Sequence, residues 1–429
     1  MAGSKAEWKA LPAILLVIFC SKLAWIIYNG VLYEDDSVGY LTLHAGLYHP
    51  PGYGIFTSAL IAIAGNLYAV VVTQSLLFSA CASIAITSIL KTPGFRLAAA
   101  IALGADLASG ILVSSILSES VFMSLGLLIS AIAFRLPNLP NRKQLLLFLL
   151  AGILTGMAYM MRYAGLSFLI ILPLFLVFSG YSWRKIILSV VFVVLGFQLA
   201  LTPLRLYYKS EFDTWLVNAF GGMSLWNTAA HLYPGSSVEE NPESEFEKFL
   251  TGVDKEQFHI QKSFETAHIY SVPAPFPAYL ESNKPDLAEI TELSGELKSI
   301  SIRLISENPF RHIRDFLLPN AAKPFLESEI PVRNSADMWF ESEFQYHNDK
   351  SIRWKSWYWI LLFTLLVMGT FLPLRSPNFA GRTMIAFTWF YLFAILLLSA
   401  VYLRFVFVLS PFIILLLCTD MESRFRKKN

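Results

Sequence analysis

The chain has 429 residues, 55% of them hydrophobic and 15% charged, and its mean hydropathy of +0.54 exceeds what a soluble domain buries in one core. This composition points to an integral membrane protein, and a net charge of +2 offers no global basic face for nucleic acid. The three cysteines, Cys20, Cys81 and Cys418, lie in apolar runs, so no disulfide framework is visible.

A helix needs about 20 apolar residues to cross about 30 Å of hydrocarbon. The sequence predicts about ten such stretches, near 11–30, 66–90, 97–117, 120–136, 145–162, 163–180, 186–206, 355–374, 383–401 and 404–419. The first is followed by Asn29 and Gly30 rather than a small-residue cleavage site, so it reads as a retained anchor. Residues 52–64 are apolar but short, and read as an interfacial or re-entrant helix. With the N-terminus inside, the inner side receives Lys5 and Lys9, Lys91 and Arg96, Arg135, Arg142 and Lys143, Arg184 and Lys185, Arg375 and Arg382, and the tail Arg424, Arg426, Lys427 and Lys428. This satisfies the positive-inside rule throughout.

The same rule places residues 207–353 outside, and that segment holds 23 of the 31 acids and 13 of the 33 bases. Leu287, Ile290, Leu293, Leu297, Ile300 and Leu304 recur at helical period within it. Pro309 opens a second short helical run, Phe310 to Leu318, closed by Pro319, and Pro273, Pro275 and Pro277 mark loops. The expected architecture is an all-α polytopic membrane protein in three parts. An N-terminal transmembrane module (1–206) carries the first outer loop, 207–353 form an extracytoplasmic, mainly helical segment, and 354–429 hold the C-terminal transmembrane helices and a basic cytoplasmic tail. No internal repeat shows, and Gly152 with Gly156 reads as a small-residue helix contact.

Phosphate loops, Gly-x-Gly-x-x-Gly, His-Glu-x-x-His and paired Cys-x-x-Cys are all missing from the sequence. The first outer loop, Tyr33-Glu34-Asp35-Asp36-Ser37-Val38-Gly39-Tyr40, instead puts three acids directly after a span. A carboxylate there is desolvated enough to act as a base and still reaches water; an ordinary polar loop fits the run equally. Glu119, in the tight turn Ser118-Glu119-Ser120, reads either as a solvated turn residue or as a partner of those acids. Asp106 falls in mid-span, where an acid costs about 2.5–3.5 kcal/mol, so it is expected to face the bundle and hydrogen-bond a neighbouring helix. Lys22, Arg162, Arg205 and Arg404 lie in the outer halves of spans against the charge rule, and Lys355 opens the eighth span. Snorkelling accounts for Lys355 and also fits Lys22; the arginines are suited to bidentate contact with a phosphate. The histidines show no ligand spacing, with His44 and His49 five apart, and no cofactor is required. The oxygens of Asp35, Asp36 or Glu119 are the groups that would hold a divalent cation, although no spacing rule calls for one.

Asp35-Asp36-Ser37-Val38-Gly39-Tyr40 followed by His49-Pro50-Pro51-Gly52-Tyr53 resembles the GT-C superfamily of membrane glycosyltransferases, within it the bacterial protein mannosyltransferase and aminoarabinose-transferase-like group. The likeness continues, in family order, through Ser118-Glu119-Ser120, Met161-Arg162-Tyr163-Ala164-Gly165, Thr202-Pro203-Leu204-Arg205, Gly221-Gly222-Met223-Ser224-Leu225-Trp226-Asn227 and Arg404-Phe405 with Pro411. Two departures stand out. The family's acidic pair is here the triplet Glu34-Asp35-Asp36, in which spacing to Tyr40 favours Asp36, and fewer spans follow the outer segment than in larger members.

The resemblance implies an inverting transferase that takes a sugar from a polyprenyl-phosphate donor to a glycan, lipid or protein acceptor outside the membrane. It implies Asp36 as base, with Asp35 and Glu119 in the catalytic set, cations from Arg162, Arg205, Arg404 and Lys22 for the donor phosphate, and a substrate pocket of Tyr40, His49, Tyr53 and Tyr163. The absence of any Asn-x-Ser/Thr sequon leans toward a bacterial inner membrane, with the site on the periplasmic face. A secondary transporter and a non-catalytic polyprenyl-lipid-binding protein are the alternatives, the first disfavoured because no inverted repeat or Gly/Pro-broken span is evident. The charge pattern predicts that Ile290→Cys or Phe340→Cys reacts with an impermeant maleimide in intact cells or spheroplasts; labelling only after permeabilisation would contradict the orientation.

Overall fold

A computed structural model describes residues 10–33, 35–41, 50–213, 215, 220–233, 287–321, 333–334, 357–371, 379–398 and 406–428. A helix stands at each of the ten expected stretches. In chain order the helices are α1 (Leu11–Asn29), α2 (Asp35–Leu41), α3 (Pro51–Ala64), α4 (Tyr68–Ile89), α5 (Pro93–Ala105), α6 (Leu107–Ser114), α7 (Glu119–Arg135) and α8 (Asn141–Met161). After a 3-10 run, Tyr163–Ile170, come α9 (Ile171–Phe178), α10 (Trp183–Phe212), α11 (Phe220–Ala229), α12 (Leu287–Glu307), α13 (Pro309–His312), α14 (Trp357–Phe371), α15 (Phe379–Leu398) and α16 (Ser410–Lys428). Two short strands, β1 (Leu32–Tyr33) and β2 (Arg333–Asn334), pair antiparallel with Leu32 opposite Asn334.

Among the described residues, four helices are long and apolar enough to cross a membrane: α1, α4, α8 and the Trp183–Ser210 part of α10. A fifth is counted if α5 and α6, bent by 56° at a break, form one span. Among the described residues the expected ten are not reached, because some stretches are interrupted or short: the 97–117 run breaks at Asp106, 163–180 starts as a 3-10 helix and α7 has 17 residues.

The described chain groups into two units. One comprises Met1–Thr202, Ser328–Leu392 and Leu403–Asn429, and the other Pro203–Glu327 and Phe393–Tyr402. In the first, α4 packs against both α1 and α7. The hydroxyls of Ser79, Ser83 and Thr87 each donate to the carbonyl four residues back, at 2.7, 2.6 and 2.9 Å, so these three polar side chains are satisfied within their own buried helix. A Cβ on Gly152 would meet the Val193 carbonyl, and one on Gly196 the Leu149 carbonyl, so these two glycines let α8 and α10 touch backbone to backbone. Near the other end of the bundle the Glu422 carboxylate of α16 accepts the Lys91 and Thr92 amides at 2.9 and 2.5 Å, which ties the last helix to the turn before α5.

Asp106 is where the third expected span comes apart. Its backbone is extended (φ −61°, ψ 114°), and its Oδ2 caps α6 by accepting the Ser109 amide at 3.0 Å. The same oxygen accepts the Ser410 hydroxyl at 2.7 Å, and Oδ1 accepts the Tyr358 hydroxyl. Lys22 donates its ammonium to the Asp106 carbonyl at 2.7 Å and lies 5.7 Å from the Phe78 ring centroid. Both charged residues are buried, Lys22 at 0% and Asp106 at 4% exposure. The expected interhelical partner of Asp106 is thus two hydroxyls, from α14 and α16. The expectation of no Gly/Pro-broken span is corrected here: a span bends by 56° at Asp106, two residues after Gly104, where an aspartate cap ends one helix and starts the next.

In the second unit the predicted stripe is the buried face of α12, with Ile290, Leu293, Leu297, Ile300 and Leu304 all at 5% exposure or less. Gly222 of α11 lies directly on the Ser294 carbonyl, with no room for a side chain, and its amide donates to Ser294 Oγ at 3.1 Å. Pro319 does not close the following run. A π-helical segment, Ile313–Leu317, intervenes and the helical run continues from Leu318 to Ala321, so Pro319 lies within it, just after the π-helical turn. Ile290 faces inward, which moves the labelling position to Phe310, 85% exposed. Pro273, Pro275, Pro277 and Phe340 lie outside the described residues.

His231 and His312 stack at 5.5 Å between centroids, and both stack on Phe316, at 5.9 and 5.4 Å. Burial first, then His312 and the Arg311 guanidinium, lower the His231 pKa to about 4, against the opposing pull of Asp315 and the Thr228 carbonyl. Burial lowers His312 as well. An unfolded histidine titrates near about 6.5, so between there and about 4 the unfolded chain binds more protons and the stack loses stability as pH falls.

Two outcomes follow from these contacts. Asp106→Ala strands the Tyr358 and Ser410 hydroxyls and an uncompensated Lys22, and should cost about 3 kcal/mol or more, read as a lowered melting temperature in detergent, with Asp106→Asn milder. An unchanged melt would contradict the hub. In the second unit, hydrogen exchange over 220–233 and 309–317, corrected for intrinsic rates, should quicken from pH 7 to pH 5, and His231→Phe should flatten that trend. Protection independent of pH would contradict the assignment.

Candidate functional site

The segment that follows α1, from Leu32 through α2, is clamped to the turn before α7. Leu32 accepts the Ile116 amide at 3.0 Å, Ser37 Oγ donates to the Ile116 carbonyl at 2.9 Å, and the Tyr40 hydroxyl meets Ser118 Oγ at 3.0 Å. Gln74 of α4 holds the same turn by donating to the Val113 and Ser115 carbonyls at 3.2 and 3.0 Å, while its Oε1 accepts the Tyr53 hydroxyl at 2.5 Å. Tyr53 and Tyr40 meet edge to face at 4.8 Å. The acid-bearing helix α2, the Pro-Pro-Gly-Tyr start of α3 and the Ser-Glu-Ser turn therefore form one hydrogen-bonded assembly.

Two glycines explain why α3 and the Arg162 turn come so close. A Cβ on Gly52 would sit 2.7 Å from the Met160 carbonyl, so only glycine lets α3 start against the end of α8. At that end the chain turns through an extended Arg162 (φ −157°, ψ 132°), and the Gly165 amide donates to the Arg162 carbonyl at 2.8 Å. Gly165 in turn lies on the backbone of Ala158 and Tyr159, where a side chain would not fit. The turn delivers Arg162 Nη1 to within 2.6 Å of Glu119 Oε1. Glu119 is fully buried as the first residue of α7, and Ser118 Oγ donates to its Oε2 at 3.3 Å.

Charge is tightly coupled here. Burial raises the Tyr40 phenol well above its ordinary range, the Glu119 and Asp36 carboxylates add to that, and Arg162 and the Ser118 hydrogen bond pull the other way. Tyr40 is therefore a neutral hydrogen-bonding group at any ordinary pH. Glu119 and Arg162 form an ion pair, and Asp36, half-buried on α2, adds a further charge that acts on Tyr40. A carboxylate in that setting suits proton abstraction, and the buried pair supplies both an acceptor and a donor to a polar ligand.

Of the residues singled out from sequence, Asp36, Tyr40, Tyr53, Glu119 and Arg162 belong to this one assembly. Glu119 is not a solvated turn residue; the turn is covered by the segment that follows α1. Tyr163 follows Arg162, half-buried, with its ring 5.4 Å from that of Tyr159. Lys22 is not among the site's contacts, because its ammonium points into the bundle onto the Asp106 carbonyl rather than to the outer surface. Arg205 is half-buried in the second unit. Asp35 lies on α2, and its side chain is outside the described residues, as are Glu34, His44, His49, Lys355 and Arg404. Among the described residues no group of three or more His, Cys, Asp or Glu side chains is placed to hold a metal ion. Sequence reasoning missed Gln74, although a lone amide inside a span was a signal, and Tyr391, an aromatic residue in an aromatic run that gives none. Compared with family models, curated proteins and solved structures, the chain matches none.

Proposed function

We propose that the protein is an inverting glycosyltransferase of GT-C-like, ten-span architecture, moving a sugar from a polyprenyl phosphate to an acceptor at the outer face of a bacterial inner membrane. The observation that carries this reading is the convergence of Asp36, Tyr40, Tyr53, Glu119 and Arg162, which are scattered over 127 positions of sequence, on one hydrogen-bonded assembly.

In the proposed step an acceptor hydroxyl or amine attacks the anomeric carbon from the face opposite the phosphate. Its proton passes to the Asp36 carboxylate, the bond from the anomeric carbon to the phosphate oxygen breaks, and the electron pair leaves with the polyprenyl phosphate. Configuration inverts because a single displacement takes place. Asp36 is half-buried, so its carboxylate is neither sealed in the bundle nor fully solvated. Arg205 and Arg404 keep the phosphate-binding role that the charge pattern assigns them. Lys22 is left out because it is bonded to Asp106.

One observation favours a secondary transporter instead: a helix bent by 56° beside two buried charges, Lys22 and Asp106. Against it, both carboxylate oxygens of Asp106 already accept hydrogen bonds from protein donors. Loss of solute uptake in Lys22→Gln with sugar transfer intact would favour the transporter.

The direct test is Asp36→Asn, which keeps size and removes the base. Transfer should fall by about 10²- to 10⁴-fold with donor binding nearly unchanged, and Asp35→Asn should be milder. An essential Asp35 with a dispensable Asp36 would move the base by one residue. Full transfer by both variants would overturn the proposal.

A further inference from the structure

Helix α15 brings one polar atom toward the site that no contact satisfies. The Tyr391 side chain is 1% exposed, and its hydroxyl has no hydrogen-bond partner among the described residues. A buried hydroxyl without a partner typically costs about 1–3 kcal/mol, and such groups in native structures call for an explanation.

Its surroundings supply one. The Tyr391 ring lies 6.1 Å from that of Phe122, which sits one turn after Glu119 and so on the same side of α7. Phe122 in turn stacks at 4.6 Å on Phe168, in the 3-10 segment that begins immediately after Arg162. The charges of both Arg162 and Glu119 act on the Tyr391 hydroxyl. An aromatic wall of Phe122, Phe168 and Tyr391 thus adjoins the Glu119–Arg162 ion pair, with the Tyr391 O–H unsatisfied among the described residues.

The chemistry of these groups discriminates between ligands. A phosphate offers acceptors only, and beside Glu119 it would meet a carboxylate whose charge already engages Arg162. A sugar hydroxyl is donor and acceptor at once, so it can donate to Glu119 and accept from Tyr391 or Arg162, while an aromatic ring covers a face of the sugar. We infer that Glu119, Arg162 and Tyr391 form a subsite that holds the neutral sugar of the donor, not its phosphate. This rests on the glycosyltransferase reading, and it gives Arg162 a different role from that of a bare anion receptor.

Tyr391→Phe tests the subsite, because it deletes one oxygen and keeps the ring. The full chain in nanodiscs is compared for binding of undecaprenyl-phosphate hexoses and pentoses and of undecaprenyl phosphate without a sugar, together with its melting temperature. The unaltered protein should bind at least one sugar-bearing lipid more tightly than the bare one. Tyr391→Phe should weaken that binding by about 3- to 10-fold, the worth of one hydrogen bond, leave bare-lipid affinity unchanged, and leave the melt the same or higher. Equal weakening for the bare lipid would place Tyr391 at the phosphate and overturn the subsite, as would unaltered binding of every sugar lipid or no preference for sugar in the unaltered protein. Turnover separates the two claims: sugar-selective binding that depends on Tyr391, with no transfer to any acceptor, keeps the subsite and contradicts the transferase.

Discussion

The arrangement of the membrane unit depends on a carboxylate placed where an apolar environment would exclude it. Asp106 interrupts a stretch long enough to cross the hydrocarbon, and the chain tolerates it because every oxygen of the residue meets a donor: the Ser109 amide, the Tyr358 and Ser410 hydroxyls and the Lys22 ammonium. Those donors come from α1, α6, α14 and α16, so one residue ties together segments from both ends of the sequence. The break also ends α5 and starts α6, whose exit is the 115–118 turn. That turn presents its carbonyls to Gln74 and Ser37, and it positions Glu119 at the start of α7. The geometry of the candidate site is thus set one helix away from it.

At the site, the determining contact is between Glu119 and Arg162. Burying a lone carboxylate in this bundle would be prohibitive, and the arginine at 2.6 Å with the Ser118 hydroxyl at 3.3 Å offsets that cost. The two charges are in direct contact, so a change at one alters the surroundings of the other. Neutralising each other, they leave a polar surface that is rich in hydrogen bonds and poor in net charge, with Asp36 as a further negative charge nearby. One carboxylate is fixed by a cation at the start of α7 and the other lies half-buried on α2, so two similar side chains sit in different surroundings.

Much of this was legible in the sequence where a physical rule had one outcome. The period of Ile290, Leu293, Leu297, Ile300 and Leu304 fixed a helix face, and an acid in mid-span had to find donors, although which donors was not readable because Tyr358 and Ser410 lie 252 and 304 residues away. The outer-loop acids, Glu119 and Arg162 were visible as charges out of place. Lys22 was visible in the same way but read in the wrong direction: a lysine about two turns from a helix end can reach outward or inward, and here the Asp106 carbonyl decides it. Hydropathy counted apolar stretches and could not see that an aspartate cap or a 3-10 turn would shorten them. Tyr391 was invisible, since an orphaned hydroxyl exists only once the surrounding side chains are in place.

The most direct measurement is an experimental structure of the full chain in nanodiscs with a non-hydrolysable polyprenyl-phosphate sugar bound. The account requires the anomeric carbon within reach of the Asp36 carboxylate through an acceptor or a single water, and the sugar hydroxyls against Glu119, Arg162 and Tyr391. A sugar lipid bound away from Asp36, or a phosphate lying on the Glu119 and Arg162 pair with the sugar elsewhere, would contradict it.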